Sequence, residues 1–233
     1  QQRTGKTPTA LMTMKNKGLT KILIVCPSSA VLQWQEEYEK WYGEECIALV
    51  GTQAQRKAKL KAWTQGLVIG YDSLKIVDHK NRETGEHSHS TGDLELVLKH
   101  KDIEGVIVDE VHRIKNRTTK AAKAIFKLSK IQHKLALSGT PAIKEQVDIY
   151  SMLHFLYPHI FTSYWNFVYY YFEEVLKIIY VGGRRKEITE AGVLKRPEEM
   201  QEFLDLISTS RKRKDVMPWL PDKDKVDIRL EPT

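Results

Sequence analysis

Short, wholly apolar runs alternate with stretches of mixed polarity through the first two thirds of the chain. "KILIVCP" (Lys21–Pro27), "CIALVG" (Cys46–Gly51), "GLVIGY" (Gly66–Tyr71), "GVIVDE" (Gly105–Glu110) and "KLALSGT" (Lys134–Thr140) place apolar residues at consecutive positions, not at every second one. A strand with one wet face alternates; a strand covered on both faces does not. Between these runs, Thr7–Lys17, Ala30–Trp41, Gln53–Trp63 and Thr118–Leu128 read as helices. Buried strands separated by helices predict an α/β fold, a parallel sheet with helices on both faces. In such sheets ligands bind beyond the carboxyl ends of the strands. Pro27, Tyr71, Asp109 and Ser138 all fall there.

The pattern breaks in two places. Asp78–Asp93, "DHKNRETGEHSHSTGD", is almost without apolar residues and reads as a polar, mobile loop. Its His79, His87 and His89 lack the accompanying cysteine or carboxylate spacing of a metal site, so a solvated loop is the simpler reading. After Pro141 the texture becomes aromatic. The stretch from Asp148 to Gly183 follows a helical period and closes on a Gly182-Gly183 turn, with "GGRRKE" as a basic tip. Its aromatic rings suit either a platform for stacked bases or, more simply, the core of a small helical lobe. "RPEEMQEFLDLI" is an amphipathic helix opened by Pro197 with acids in its first turn. The remainder is basic and proline-punctuated, ending in the strand-like "VDIRLE".

Composition changes this picture little. The 233 residues are 41% hydrophobic and 29% charged, ordinary globular material sufficient for one large domain or a domain with a smaller lobe. No apolar run approaches the ~20 residues of a membrane span, and no signal-peptide pattern opens the sequence. Cys26 and Cys46 form no motif and read as reduced thiols in or near a core. A net charge of +7 suits a polyanionic partner such as nucleic acid without requiring one.

The candidate chemistry begins at the first residues. "QQRTGKT" ends in Gly5-Lys6-Thr7, the close of a phosphate-binding loop G-x-x-x-x-G-K-[ST] whose first glycine would stand one position before Gln1. Such a triplet arises by chance in about one chain in ten of this length, so it needs a companion. That companion is the Asp109-Glu110 pair closing an apolar strand. Asp109 suits a magnesium ion on nucleotide phosphates, and Glu110 suits polarisation of an attacking water. Two adjacent acids repel, and a bound cation relieves the repulsion. In this reading Lys6 meets the outer phosphates and Thr7 gives its hydroxyl to the metal. The backbone N–H groups of Arg3, Thr4, Gly5 and Lys6 cradle phosphate oxygens at a helix N-terminus. "LALSGTP" adds Ser138 and Thr140 at the tip of a strand expected beside the acid strand. His112, two residues past Glu110, is placed to bond those hydroxyls and couple the nucleotide site to the surface.

These residues resemble the helicase-like ATPases of superfamily two, DEAD/DEAH-box-related proteins, and within them the Swi/Snf-type DNA translocases. "RTGKT" resembles motif I, "ILIVCPSSAVLQWQEEYEKW" motif Ia, "VIGYDSL" the next DNA-facing motif, "VIVDEVHRIKN" motif II and "LALSGTP" motif III. "DIYSMLHFLYPHIF" and "RKRKDVMPWLP" resemble later family segments, so the likeness covers nearly all of the chain. Arg3 replaces the common glycine and Val111 the common alanine, as in phage and bacterial relatives. Ser210 stands where arginine is usual, leaving Arg211 as the candidate there.

The resemblance implies one RecA-like P-loop lobe of a two-lobed motor that binds ATP and Mg2+ between its lobes and double-stranded DNA across both. It implies phosphate-backbone contacts from Pro27, Ser28, Ser29, Tyr71, Ser73 and Arg211. It divides the chain into an ATP-binding lobe (1–142), a helical protrusion (143–208) and a linker (209–233) toward a second lobe. The adenine-reading glutamine motif, that second lobe and its arginine fingers are expected outside these 233 residues, so the chain alone should hydrolyse almost no ATP. Such a protein acts in the cytoplasm of a prokaryotic or phage-infected cell, or in the nucleus of a eukaryote. An RNA helicase or restriction-type motor shares these motifs. A non-catalytic nucleic-acid-binding module with a vestigial site is the alternative of another class.

Overall fold

The structure, a computed structural model, describes residues 5–74, 77–80, 87–90, 93–139 and 146–211, with backbone alone for 77–80 and 87–90. The chain enters on helix α1 (Lys6–Asn16) and crosses into strand β1 (Ile22–Cys26). A tight 3-10 turn, Ser28–Ala30, then leads into α2 (Val31–Tyr42), β2 (Cys46–Ala48), α3 (Gln53–Lys61) and β3 (Gly66–Gly70). A single helical turn, α4 (Tyr71–Leu74), precedes the short strands β4 (Val77–Lys80) and β5 (His87–Ser90), and α5 (Leu94–Leu98) follows. Strand β6 (Gly105–Val108), α6 (Lys120–Lys127) and β7 (His133–Ala136) complete the first part. Local chemistry sets several boundaries. Thr52 and Gln55 form a reciprocal capping box at the start of α3, and the Thr119 hydroxyl accepts from Ala122 N–H at the start of α6.

The central sheet has the order β2-β3-β1-β6-β7, every neighbouring pair parallel. Strands β1, β3 and β6 are buried at every position, as continuous apolar runs require. Leu23, Val25, Leu67, Ile69, Val106 and Val108 project to one face, where Trp63, Val97, Ala122 and Ile125 cover them. Ile22, Ile24, Cys26, Val68 and Ile107 project to the other, against Leu11, Met14, Trp34 and Tyr38. Each fully buried aliphatic side chain here contributes about 1.5–3 kcal/mol of transfer free energy. Both cysteines are buried and free, and desolvation raises the Cys26 and Cys46 thiols to about 12. Among the described residues no helix is long and apolar enough to cross a membrane.

The remaining elements are α7 (Ile149–Leu156), α8 (Tyr164–Tyr171), β8 (Phe172–Val181), β9 (Arg184–Leu194) and α9 (Pro197–Ile207). Tyr150, Phe161, Phe167, Val168, Tyr171 and Phe172 form an aromatic cluster, and Met200 of α9 closes it. The rings thus serve as core, not as an open stacking platform. Phe155 of α7 is instead buried in the sheet's own cluster.

Two expectations are corrected. The helical period predicted through Val181 gives way at Phe172 to a ten-residue strand paired antiparallel with β9. Val175, Ile178, Ile179 and Val181 are β-branched, and Gly182 and Gly183 have φ of 56° and 76°. Two consecutive left-handed residues make the two-residue turn that matches strand twist, and it sets a hairpin. The polar stretch expected as a mobile loop contains a paired ribbon, with Val77 opposite Ser90 and Lys80 opposite His87. The strand-like "VDIRLE" lies outside the described residues.

Gly66, at the start of β3, has no room for a side chain: an added Cβ would lie 2.7 Å from Tyr38 Cζ and 2.9 Å from Cys46 Sγ. Gly66→Ala should therefore destabilise the lobe by about 1–3 kcal/mol. Chemical denaturation should show a lower midpoint at unchanged slope.

Candidate nucleotide and nucleic-acid site

Because the five strands run parallel, Pro27, Tyr71, Asp109 and Leu137 emerge along one edge of the sheet. The phosphate-loop residues meet that edge. Gly5 caps α1 in the left-handed region (φ 77°), where glycine is favoured, and no side chain caps the helix. Lys6 and Thr7 occupy the first turn, which holds no acidic residue. Its N–H groups and positive dipole end are suited to an anion. Arg3 and Thr4 lie outside the described residues, as does Thr140.

Asp109 continues directly from β6, its N–H donating to the Val25 carbonyl at 2.8 Å. Its Oδ2 accepts from Trp34 Nε1 at 3.0 Å, and its Oδ1 accepts from the Glu110 N–H at 2.9 Å. Burial raises its pKa, the two hydrogen bonds oppose that rise, Glu110 adds to it, and the Lys6 ammonium lowers it. The two ends of the predicted site therefore share one electrostatic environment: Lys6 acts on Asp109 across more than a hundred residues of sequence.

Glu110 is the one described non-glycine residue with positive φ (φ 49°, ψ 50°). A left-handed glutamate costs on the order of 1–3 kcal/mol and persists where surroundings over-determine it. Here they do. The Val111 N–H donates to the Leu137 carbonyl at 2.8 Å and the Arg113 N–H to the Glu110 carbonyl at 2.9 Å, locking both flanks. The kink swings the Glu110 carboxylate toward the end of β7. Its Oε2 lies 3.1 Å from His112 Nδ1 and accepts from Gly139 N–H at 3.5 Å, while Ser138 Oγ is 3.5 Å from the same His112 nitrogen. Acid pair, histidine and serine are thus brought together.

The residues expected on nucleic acid divide. Ser28 and Ser29 are exposed on the turn after β1, with Pro27 half-buried beneath them. Ser28 Oγ donates to Asp72 Oδ2 at 3.0 Å, joining this turn to α4. A Cβ on Gly70 would lie 2.7 Å from Ser28 Oγ, so glycine permits the close approach. Ser73 is half-buried, and its carbonyl accepts from Asp93 N–H. Tyr71 requires a correction. Its side chain is only 2% exposed, and its hydroxyl donates to the Asp109 carbonyl at 2.6 Å. It is an internal strut between β3 and the acid strand, not a surface for a phosphate backbone. Arg211 is exposed just beyond α9, and no contact among the described residues links it to the others.

Two features were not anticipated from the sequence. Trp34 as donor to Asp109 is one; its apolar helical spacing with Tyr38 marks it as core but reveals nothing of the indole N–H. The other ties the acid loop to the aromatic region. Ser151 Oγ donates to the Lys115 carbonyl at 3.0 Å, Lys115 Nζ lies 3.6 Å from Asp148 Oδ2, and the Arg117 guanidinium sits 4.0 Å over the Tyr164 ring.

The SNF2-related domain matches residues 5–233, nearly the whole chain. The chain belongs to the SNF2-related family. Among curated SNF2 relatives, the probable ATP-dependent DNA helicase CHR23 of Arabidopsis thaliana is 25% identical over 214 residues, 90% of this chain and 18% of its own length. The DNA repair protein RAD5 of Cryptococcus neoformans is 32% identical over 150 residues, 58% of this chain and 12% of its own. The chain thus spans less than a fifth of either relative. The Sulfolobus solfataricus SWI2/SNF2 ATPase core, solved in complex with dsDNA, is 29% identical with a TM-score of 0.53 over 72% of this chain and 32% of that one. This SNF2-related lobe therefore shares both sequence and fold with a Swi/Snf-type ATPase core.

The Trp34–Asp109 bond yields a pH-dependent test. Hydrogen bonds to charged groups contribute roughly 1.5–3 kcal/mol. Trp34→Phe should lower the thermal midpoint by roughly 3–10 °C at a pH well above the raised Asp109 pKa. Part of that loss should disappear as the pH falls through the raised Asp109 pKa, because a protonated carboxyl depends less on the donor. Melts of both proteins across that range would measure the difference.

Proposed function

We propose that this SNF2-related chain is the first motor lobe of an ATP-dependent double-stranded DNA translocase. The observation that carries the reading is the shared edge. Lys6, Asp109 and Glu110 gather there beside the exposed Ser28–Ser29 turn, so a nucleotide and a polyanion would bind within reach of one rigid sheet. The proposed division is an ATP-binding lobe at 1–142, an accessory region at 143–208 and a linker from 209 toward a second lobe.

The residues present fit ATP and a magnesium ion. Asp109 and Glu110 are adjacent, and the Glu110 carboxylate disfavours charge on Asp109, an arrangement that a cation relieves. The uncapped first turn of α1 offers N–H groups to phosphate. Bound magnesium ATP would supply the anhydride bond whose cleavage powers the motor. Lys6 would hold the outer phosphate charge, and Thr7 and Asp109 would hold the metal. Glu110 orients water and accepts its proton, with His112 and the Gly139 N–H fixing the carboxylate. Ser138, beside His112, relays the state of Glu110 to β7. On the nucleic-acid side, Pro27, Ser28, Ser29 and Ser73 would track the backbone without reading bases, with salt-sensitive affinity. An arginine from a second lobe would stabilise charge on the transferring phosphoryl group, a contribution of ~10³ to 10⁵ in other NTPases.

In the full-length protein, Glu110→Gln should keep nucleotide affinity within about twofold while lowering hydrolysis by roughly 10² to 10⁴. Lys6→Ala should weaken nucleotide binding itself. Equilibrium titration with a fluorescent ATP analogue, beside phosphate release with and without duplex DNA, separates the two effects. Equal stimulation by duplex RNA would favour an RNA helicase, and hydrolysis by Glu110→Gln at the wild-type rate would remove Glu110 from the chemistry. These 233 residues alone should turn over almost no ATP; robust DNA-stimulated turnover by them would overturn the need for a second lobe.

A further inference from the structure

The β8–β9 ribbon takes no part in the site above. Strand β8 alone, ten residues at ~3.3 Å each, reaches about 30 Å. Beyond its root nearly every side chain is exposed or half-exposed on both faces. An isolated two-stranded ribbon is marginal in water. This one is held at its root, where Phe172 is buried in the aromatic cluster with Leu194 packed against it, and Lys195 N–H donates to the Tyr171 carbonyl at 2.7 Å. Toward the tip the Gly182-Gly183 turn fixes register, leaving Val181 opposite Arg184 and Tyr180 opposite Arg185.

Positive charge gathers at one end of the ribbon, with Glu187 following it and Lys177 paired with Glu190 midway. Arg184, Arg185 and Lys186 stand together at the tip, and Glu173 and Glu174 at the root. Arg184 and Lys186 make no ion pair among the described residues. Arg185 pairs with Glu187 at 2.9 Å, both about 60% exposed, a surface pair worth little and readily exchanged. On the strand opposite, Tyr180 is 74% exposed and Leu176 equally so. A projecting strand pair with a cationic tip and an open aromatic ring beside it has the chemistry of a nucleic-acid contact. Ammonium and guanidinium groups take phosphates, and the major groove of duplex DNA admits a two-stranded ribbon.

We propose that the β8–β9 ribbon is a second duplex-DNA contact, separate from the Ser28–Ser29 turn, made by Arg184, Arg185, Lys186 and Tyr180. It rests on the reading of the chain as a DNA motor lobe. The contacts of Ser151, Asp148 and Tyr164 with the Lys115–Arg117 segment connect the acid loop to the cluster from which the ribbon springs. The nucleotide site and the ribbon therefore share a packed path.

The test uses the full-length protein without nucleotide and a duplex oligonucleotide, with affinity measured across a salt series. The triple variant Arg184→Gln, Arg185→Gln, Lys186→Gln should lower the slope of log affinity against log salt by about 2–3, near 0.9 for each phosphate that is no longer neutralised. A charge-matched variant, Lys57→Gln, Lys61→Gln, Lys101→Gln, alters exposed lysines elsewhere and should leave the slope unchanged. Equal melting temperatures would establish that each variant folds. If wild type binds duplex and the tip variant keeps its slope, or both triples lower it alike, the ribbon contact is overturned and the motor reading stands. If wild type shows no salt-dependent duplex affinity, both fall. A photoreactive residue replacing Tyr180 should yield adducts with the duplex; adducts confined to a second copy of the protein would make the ribbon a protein-docking surface and overturn the proposal.

Discussion

A carboxylate at the end of a buried strand is expensive, and the site is organised around offsetting part of that cost at Asp109, whose pKa remains raised. Burial works against ionisation, and two donors and one ammonium work for it: the Trp34 indole, the Glu110 N–H and the field of Lys6. Each comes from a different part of the chain, so the partial offset of the burial cost is complete only once α1, α2 and β6 have assembled, and the Asp109 pKa still stays raised. The Tyr71 hydroxyl bonded to the Asp109 carbonyl extends the same dependence to β3. Packing and chemistry are consequently hard to separate here: the aromatic side chains that fill the space around the sheet edge also supply its polar partners.

The parallel sheet was legible because complete burial leaves an unambiguous mark. Ile22–Cys26, Gly66–Gly70 and Gly105–Val108 are short, apolar throughout and bounded by turn residues or acids, as strands covered on both faces require. The sheet in turn determines which loops share an edge, so topology alone sets motifs separated by a hundred residues beside one another. The ribbon was less legible. Phe172, Val175, Leu176 and Ile179 satisfy a helical spacing as well as a strand's composition, and a two-sided exposed strand carries no burial pattern to decide between them. The deciding signal was the Gly-Gly pair, whose turn geometry favours antiparallel strands over a helix end.

Within the site, residue types were easier to read than roles. A tyrosine after an apolar strand looks the same in sequence whether its ring faces solvent or core, and Tyr71 faces the core. Trp34 presents the converse case: a hydrogen bond from its indole to a carboxylate 75 positions away leaves no local trace. The left-handed Glu110 is equally silent in sequence, because its strain is imposed by the neighbouring ends of β6 and β7 and not by any local residue preference.

The chemistry of the two cysteines has a practical side. Cys26 and Cys46 are enclosed within the sheet's packing, and burial together with nearby Asp109 and Glu39 keeps both sulfurs as unreactive thiols at neutral pH. A maleimide dye should therefore ignore both sulfurs in the folded lobe. Single cysteines placed on the outer surface become clean attachment points for fluorophores or spin labels, so distances across the lobe can be followed without first stripping out the natural sulfur atoms.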